Sequence, residues 1–263
     1  MIPPTSIDGT DITGATIDGT DVQEITVDGD VVFSAVPDSL ISRYTFDNAD
    51  LSNGNPLDVV GPNDAISNNA TTGVSGANQT YTTNEGFSYD GVDDITDFGT
   101  NIIPTDTTEP FSISFFVNID NGDSGTIIGQ QDQGTNNFSG TTLNLIGGSG
   151  DLRFVFRDSS GQEVDKRVSR PTIGSWTFVV ATYDGSQSPS GSTIYYDANV
   201  QTTQFTINQN INSTIPAPNT SAGARDPGNP GNFASCDLDD IRIYDKELTS
   251  TEVSNLYNNG SIL

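Results

Sequence analysis

Hydrophobic and polar positions alternate with a period of two along most of this chain, in short runs separated by Gly, Asn and Asp. The clearest run covers residues 111–119, where Phe111, Ile113, Phe115, Val117 and Ile119 fall on one face of an extended segment. Similar runs predict strands at 40–47, 87–90, 126–130, 142–146, 152–157, 163–168, 176–183, 192–197, 202–207 and 238–244. Residues 48–85 are rich in Asn, Gly, Thr and Ser and read as long loops over a rim. Short strands punctuated by turn residues predict an all-β protein, an antiparallel two-sheet sandwich of jelly-roll type.

The period changes to helical once, at the end. Thr249 is a good N-cap, and Glu252 stands three residues on to complete a capping box. Val253, Leu256 and Tyr257 share one helical face, which predicts a short helix packed on the sandwich and ended by Gly260.

The front of the chain has its own pattern. Residues 6–35 hold three near-copies of a ten-residue unit, each with an Asp-Gly pair, at Asp8-Gly9, Asp18-Gly19 and Asp28-Gly29. Asp-Gly suits tight hairpins, and the flanking β-branched residues predict a small β meander of three or four strands. A segment of ~30 residues buries too little apolar surface to stand alone, so it needs a partner. Pro37 interrupts the strand pattern and divides an anchoring or oligomerising segment, 1–36, from the sandwich, 37–263. The plainer reading of 1–36 is a first sheet decorating the main domain.

Charge narrows the partners. Thirty-five acids against nine bases give a formal charge of −26, with 29 Asp, 6 Glu and two lysines, Lys166 and Lys246. Multimolar salt screens such self-repulsion within ~3 Å, and lysine depletion favours adaptation to very high salt over a generic acidic surface. No basic face offsets phosphate repulsion, so nucleic acid is excluded as a partner. With one cysteine, Cys236, and no histidine, the chain has no disulfide framework, Ser-His-Asp triad or His-ligated metal centre. No segment approaches the ~18 apolar residues of a membrane span. The first residues carry no signal of export, so an extracellular role would need another exit, such as release in assembled virus particles.

Six pieces in order resemble the laminin-G-like branch of concanavalin-A-like lectin domains over about residues 38–260. They are Tyr44-Thr-Phe46-Asp47, Tyr89-Asp90-Gly91-Val92-Asp93-Asp94, the strand from Phe111 to Val117, that from Trp176 to Gly185, the Tyr195-Tyr196-Asp197 hairpin, and Leu238-Asp239-Asp240 with its helix. Phe116 stands where that family usually has Trp, and Asp197-Ala198-Asn199 replaces its Asp-Gly turn. The resemblance implies a module that recognises surfaces or glycans. The front repeat looks like amino-terminal repeats in structural proteins of haloarchaeal tailed viruses. Together these lead to an expected virion structural protein of a halophilic virus. It would be a spike, fibre or capsid decoration on the virion surface, a homo-oligomer bound through residues 1–36 to other virion proteins and contacting a host-surface glycan or glycoprotein. A cellular carbohydrate-binding module and a glycan hydrolase or lyase are the alternatives.

Hydrolases on this fold need paired carboxylates, often as Glu-x-Asp-x-Glu along one strand. No two of the six glutamates share that spacing, and Asp237, Asp239 and Asp240 give the closest alternation; no catalytic residue is assigned. For ligand contact the candidates are Tyr81, Phe138 and Phe233, aromatics in polar loops whose ring faces suit the CH face of a sugar, whereas Trp176 begins a core strand. By analogy with relatives holding one structural ion where first and last strands meet, the expected calcium ligands are Asp47 and Asp240, followed by Asp239 and Asp90. Solvated or turn-capping aspartates are the plainer reading of those four.

Overall fold

The structure, a computed structural model, describes residues 39–261 apart from 78, 80–81, 83–84, 101, 133–137, 213–214 and 216–218. It also describes the backbone of short strands between 6 and 34. In chain order the strands of the main body are β1 (Leu40–Tyr44), β2 (Ile66–Asn68), β3 (Thr71–Ser75), β4 (Glu85–Asp90), β5 (Ile95–Gly99) and β6 (Phe111–Ile119). There follow β7 (Gly125–Gln131), β8 (Gly140–Ile146), β9 (Asp151–Arg157), β10 (Glu163–Ser169) and β11 (Trp176–Tyr183). The last are β12 (Ser192–Tyr196), β13 (Asn199–Val200), β14 (Thr203–Asn208), β15 (Thr220–Ala222) and β16 (Ser235–Tyr244), then helix α1 (Ser250–Asn259).

They form two antiparallel eight-stranded sheets, confirming the jelly-roll sandwich. One runs β2-β5-β15-β7-β8-β9-β10-β14; the other runs β3-β4-β16-β6-β11-β12-β13, with β1 also paired to β16. The core between them is built from alternate residues. Phe111, Ile113, Phe115, Val117 and Ile119 of β6 join Leu143 and Leu145 of β8 and Leu152, Phe154 and Phe156 of β9 in one buried cluster. Phe111 meets Phe154 and Phe156 edge-on, with ring centroids 6.1 and 5.8 Å apart. Each such side chain contributes roughly 1.5–3 kcal/mol through burial.

The even residues of β6 are buried too. Phe116 tilts against Phe178 at 4.8 Å, and both join Leu40, Val180, Tyr195, Tyr244, Leu248, Val253 and Leu256 in a second cluster. This second cluster lies where α1 covers the outer face of the β6 sheet. The helix begins and ends as its sequence predicts: Thr249 and Glu252 make the reciprocal capping box, and Gly260 closes it at φ 71°. Trp176 packs at the edge of the same cluster, and Phe116 fills the place expected for Trp.

Three features differ from expectation. Residues 48–85 contain strands: β2, β3 and the small hairpin Leu51–Ser52 with Asn55–Pro56. β2 and β3 lie at sheet edges, exposed on both faces, so no apolar alternation marks them. The front repeat is not one meander among the described residues but three separate hairpins, Ser6–Ile7 with Thr10–Asp11, Thr16–Ile17 with Thr20–Asp21, and Glu24–Val27 with Asp30–Ser34. The first two have two-residue strands, too short to present a second paired edge. Finally, Asp197 and Ala198 turn with φ 48° and 63°, the two positive values a type I′ hairpin requires. Asp197 Oδ1 accepts from the Phe178 amide at 2.9 Å, which supports that turn without a glycine.

Candidate functional site

The two sheets differ in their outer faces. Helix α1 and its apolar cluster cover one. On the other, the residues that alternate with the core on β9 and β10 point outward. They are Asp151, Arg153, Val155 and Arg157, and Glu163, Asp165, Arg167 and Ser169.

Strand register lines these residues up in rows across the sheet. Gln131, Gly140, Arg157 and Glu163 form one row; Gly129, Thr142, Val155, Asp165 and Ile207 form the next; Asn144, Arg153, Arg167 and Phe205 form a third. Thr142, Val155 and Asp165 at the centre are fully buried, and the side chains of Arg153, Arg157 and Arg167 around them are 15 to 23% exposed.

The charges interlock. Arg153 donates from Nε to Asp165 Oδ2 and from Nη2 to Glu163 Oε2, each at 2.8 Å. Arg157 donates Nε to Glu163 Oε2 at 2.9 Å, joined by its Nη2. Arg167 donates Nε and Nη2 to Asp165 Oδ2 at 2.9 and 2.7 Å. Burial opposes ionisation of Glu163, but the Arg157 and Arg153 guanidiniums outweigh it and hold its pKa below the ordinary value. Three guanidiniums therefore converge on two carboxylates. Among the described residues, Nη1 of each arginine makes no hydrogen bond, and Asp165 Oδ1 is buried without a donor. The arrangement offers fixed guanidinium donors to a polar ligand, while Asp165 Oδ1 is shut away beneath them.

The sequence reading overlooked this network. Spacing between glutamates does not reveal it, yet Glu163-Val-Asp165 is an alternating acidic pair on one strand. Arg153 and Arg157, interleaved with Leu152, Phe154 and Phe156, were a second available signal.

The aromatic candidates scatter. Phe138, 37% exposed with φ 58°, flanks the open face, but the Arg225 guanidinium lies over its ring at 4.9 Å. Phe205, which the sequence did not single out, is 46% exposed and carries Arg167 at 4.5 Å. Each ring braces an arginine rather than standing bare. Phe233 is half-buried and bridges Thr126, at the end of β7 away from Gln131 and Phe138, about 17 Å along the strand. Tyr81 lies outside the described residues.

The acidic candidates separate as well. β16 pairs with β4 up to Leu238 and with β1 from Ile241, and a register shift against β6 falls between those stretches. At this bulge Asp240 has φ 47° and turns its carboxylate between Arg43 Nε (2.8 Å) and Arg242 Nη2 (2.5 Å). Burial disfavours that charge, but Arg242 and Arg43 outweigh it and bring the pKa to about 2. Asp240 is thus matched by guanidiniums, an environment hostile to a cation. Asp239, fully buried beside it, accepts from the Ala77 amide at 2.9 Å through Oδ2, while Oδ1 has no partner among the described residues. Burial first, then the charges of Asp240 and Asp47, raises its pKa to about 8. Asp239 thus keeps an unmatched carboxylate oxygen beside further acidic charge, whereas the charge of Asp240 is matched by two guanidiniums. Asp90 is at the other end of the β4 pairing, opposite Ser235, in an acidic turn with Asp93 and Asp94. There Asp90 Oδ1 caps the Val92 amide at 2.8 Å, and Asp94 Oδ2 caps that of Asp90 at 2.7 Å.

Known proteins share this architecture. No curated protein matches the chain in sequence. Among solved structures, the binding domain of Paraclostridial Mosquitocidal Protein 1 superposes with a TM-score of 0.64 at 16% identity, over 85% of this chain and 52% of that one. The botulinum neurotoxin serotype D binding domain gives 0.58 at 18% identity, over 85% and 51%. The serotype G binding domain gives 0.59 at 17%, over 83% and 50%. The chain thus spans about half the length of these structures, and at such identities they share the fold. Residues 90–254 match the laminin-G-type description of the concanavalin A-like lectin/glucanases superfamily, well over half the chain. Sandwich, strand order and closing helix agree with that match, and this protein belongs to the concanavalin A-like lectin/glucanases superfamily.

Proposed function

We propose that this protein is a lectin-like attachment module whose open sheet face binds a glycan on a host surface. The observation that carries the reading is the network of Arg153, Arg157, Arg167, Glu163 and Asp165. Ion pairs and register hold it in place, with Nη1 donors left to engage a ligand. A few fixed polar groups on an otherwise packed surface are what saccharide hydroxyls need. That the similar toxin structures are binding domains agrees with recognition rather than turnover. So does Glu163: a glycosidase acid needs a raised pKa, and the pKa of Glu163 is lowered.

The setting we propose is the surface of a halophilic virus particle, as a spike, fibre or capsid decoration. The charge of −26 and the scarcity of lysine support the saline habitat. The three short hairpins of residues 6–34 support an assembly role for residues 1–36, since two-stranded pieces of this size are marginal alone. A structural calcium held by Asp239 and Asp47 would neutralise buried carboxylate charge at the β16 bulge.

The test of recognition is binding of the full chain, in multimolar KCl, to an array of host-surface glycans. Binding that Arg153→Ala abolishes supports the reading; no binding at millimolar glycan, or binding indifferent to that substitution, refutes it. Light scattering of the full chain and of residues 37–263 tests assembly. An oligomer that becomes a monomer on truncation supports the role of 1–36, and two monomers refute it.

A further inference from the structure

Charge is spread unevenly along the chain. Residues 198–224 contain no acidic or basic side chain, although the formal charge of the whole is −26. Within that run lies β14, whose residues Thr203, Gln204, Phe205, Thr206 and Asn208 are exposed. β14 ends its sheet: it pairs with β10 on one side and with no described strand on the other. Register fixes which backbone groups face the free side. Ile207 stands opposite Asp165, Phe205 stands opposite Arg167, and the Gln209 amide donates to the Glu163 carbonyl at 3.0 Å. Bonded and non-bonded pairs alternate along an antiparallel ladder, so Phe205 and Ile207 turn their amides and carbonyls toward β10. Thr206 and Asn208 turn theirs away from it.

Sheets normally blunt such an edge with charge, proline, a short strand or a bulge. The other three ends of the two sheets follow that rule. β13 has two residues, β2 has three, and β3 shifts register between Thr72 and Val74. β14 has six residues with neither charge nor proline, and its register shift is confined to the end at Thr203. It is the edge left ready to take another strand. In so acidic a chain, an uncharged edge favours an uncharged strand, because any other brings carboxylates toward further negative charge.

We propose that β14 receives the strand Asp30–Ser34 from a second copy of this chain. The proposal rests on the assembly role given above to residues 1–36 and names where they dock. Asp30–Ser34 is the longest described strand of that segment, and residues 31–37 carry no charge. Its hairpin with Glu24–Val27 pairs one of its edges and leaves the other for a third strand, without which a hairpin is marginal. The strand of the same copy falls short of β14. Leu40 lies opposite Tyr244, and β16, β6, β11 and β12 separate it from β13, five spacings that make roughly 24 Å. β14 follows on the other sheet, whereas the chain from Ser34 to Leu40 spans about 21 Å when fully extended. A donor strand on one copy and a receiving edge on the next make a contact that closes as a ring or a reciprocal dimer.

The experiment is light scattering of the full chain in multimolar KCl, native and with Thr206→Pro, joined to a cross-linking test. Thr206→Pro removes an amide that faces away from β10 and leaves the β10 pairing intact, so the variant should fold, as near-ultraviolet circular dichroism checks, and have the mass of one chain. Thr206→Lys, which adds a charge to the edge without altering the backbone, should raise the concentration at which the oligomer dissociates by roughly tenfold. For the cross-link, copies carrying Thr206→Cys are mixed with copies carrying Val31→Cys, Val32→Cys or Phe33→Cys and then oxidised. Cys236 is buried and does not compete. A disulfide joining two different copies is expected for at least one of the three mixtures, since bridged Cα atoms must lie within about 7 Å. An oligomer that survives Thr206→Pro overturns the docking edge and leaves the assembly role of residues 1–36 standing. Cross-links confined to pairs of Thr206→Cys copies show that the edge pairs with its own counterpart, and these, or no cross-link at all, overturn Asp30–Ser34 as the occupant. A native full chain that is monomeric overturns both this docking and the assembly role.

Discussion

The outer faces of the two sheets start from the same core and end differently. On β6 and β11 the residues that alternate with the core are Phe116, Phe178 and Val180, and a helix lies over them. On β9 and β10 they are Arg153, Arg157, Glu163, Asp165 and Arg167, joined to one another by ion pairs. Both faces are well ordered by contacts, one by dispersion and burial, the other by charge pairing. The difference locates function. An apolar face needs a cover and finds one within the chain, whereas a pre-arranged charged face leaves donors free for a ligand.

The comparison breaks most sharply at Asp165. Replacing it with Ala leaves Arg153 and Arg167, directly opposed in register, without their shared carboxylate. A loss of about 3 kcal/mol is expected from denaturant titration, since removing one partner of a buried ion pair leaves uncompensated charge. An unchanged midpoint would show that the network is ornamental. On the covered face, Leu256→Ala removes the α1 side chain buried over Phe116 and Phe178. It should destabilise by about 2–3 kcal/mol without changing glycan affinity at temperatures where the variant is folded. A change in affinity would mean that the two faces are coupled.

Asp239, opposite Phe116 within the covered sheet, sharpens the contrast. Its folded pKa of about 8 lies far above that of an unfolded aspartate, so the folded state keeps a proton that the unfolded chain releases. Its contribution is therefore fully present below about pH 4 and is lost as pH rises toward 8. In chelator-containing buffer, the difference in stability between the native chain and Asp239→Asn should change across that window, and millimolar calcium should restore stability to the native chain at pH 8. A flat difference would show that Asp239 is ionised in the fold, and no response to calcium would remove the proposed ion. The smallest effect belongs to Thr249→Ala, which removes the hydroxyl that caps α1 and should cost about 1 kcal/mol by thermal melting, leaving glycan binding intact. A shift indistinguishable from zero would show that packing alone fixes the helix.

Much of this was legible from residue order. The alternation of 111–119, the Trp176–Tyr183 strand and the capping box at Thr249 are local patterns whose physical cause lies within a few residues. The edge strands β2 and β3 were not legible, because a strand exposed on both faces has no reason to alternate. The site was legible only in fragments. Glu163-Val-Asp165 was there to be read as an outward pair, but its partners Arg153 and Arg157 come from the preceding strand. Aspartates adjacent in sequence acquired opposite characters: Asp240 is held ionised by Arg43, 197 residues away, while Asp239 is pushed toward neutrality by burial and by its neighbour.

By itself, then, the sequence determined an acidic, cysteine-poor β-sandwich with one capped helix, because period, turn chemistry and capping act over short distances. Tertiary structure alone decided which outer face would be covered and which left open. It also decided that three arginines would share two carboxylates, and which aspartates would be paired with guanidiniums or left with an unmatched oxygen. Those outcomes depend on strand register and on burial, which set distances and dielectric between residues far apart in the chain. Charge interactions follow distance in space, and alternation along a strand does not record it.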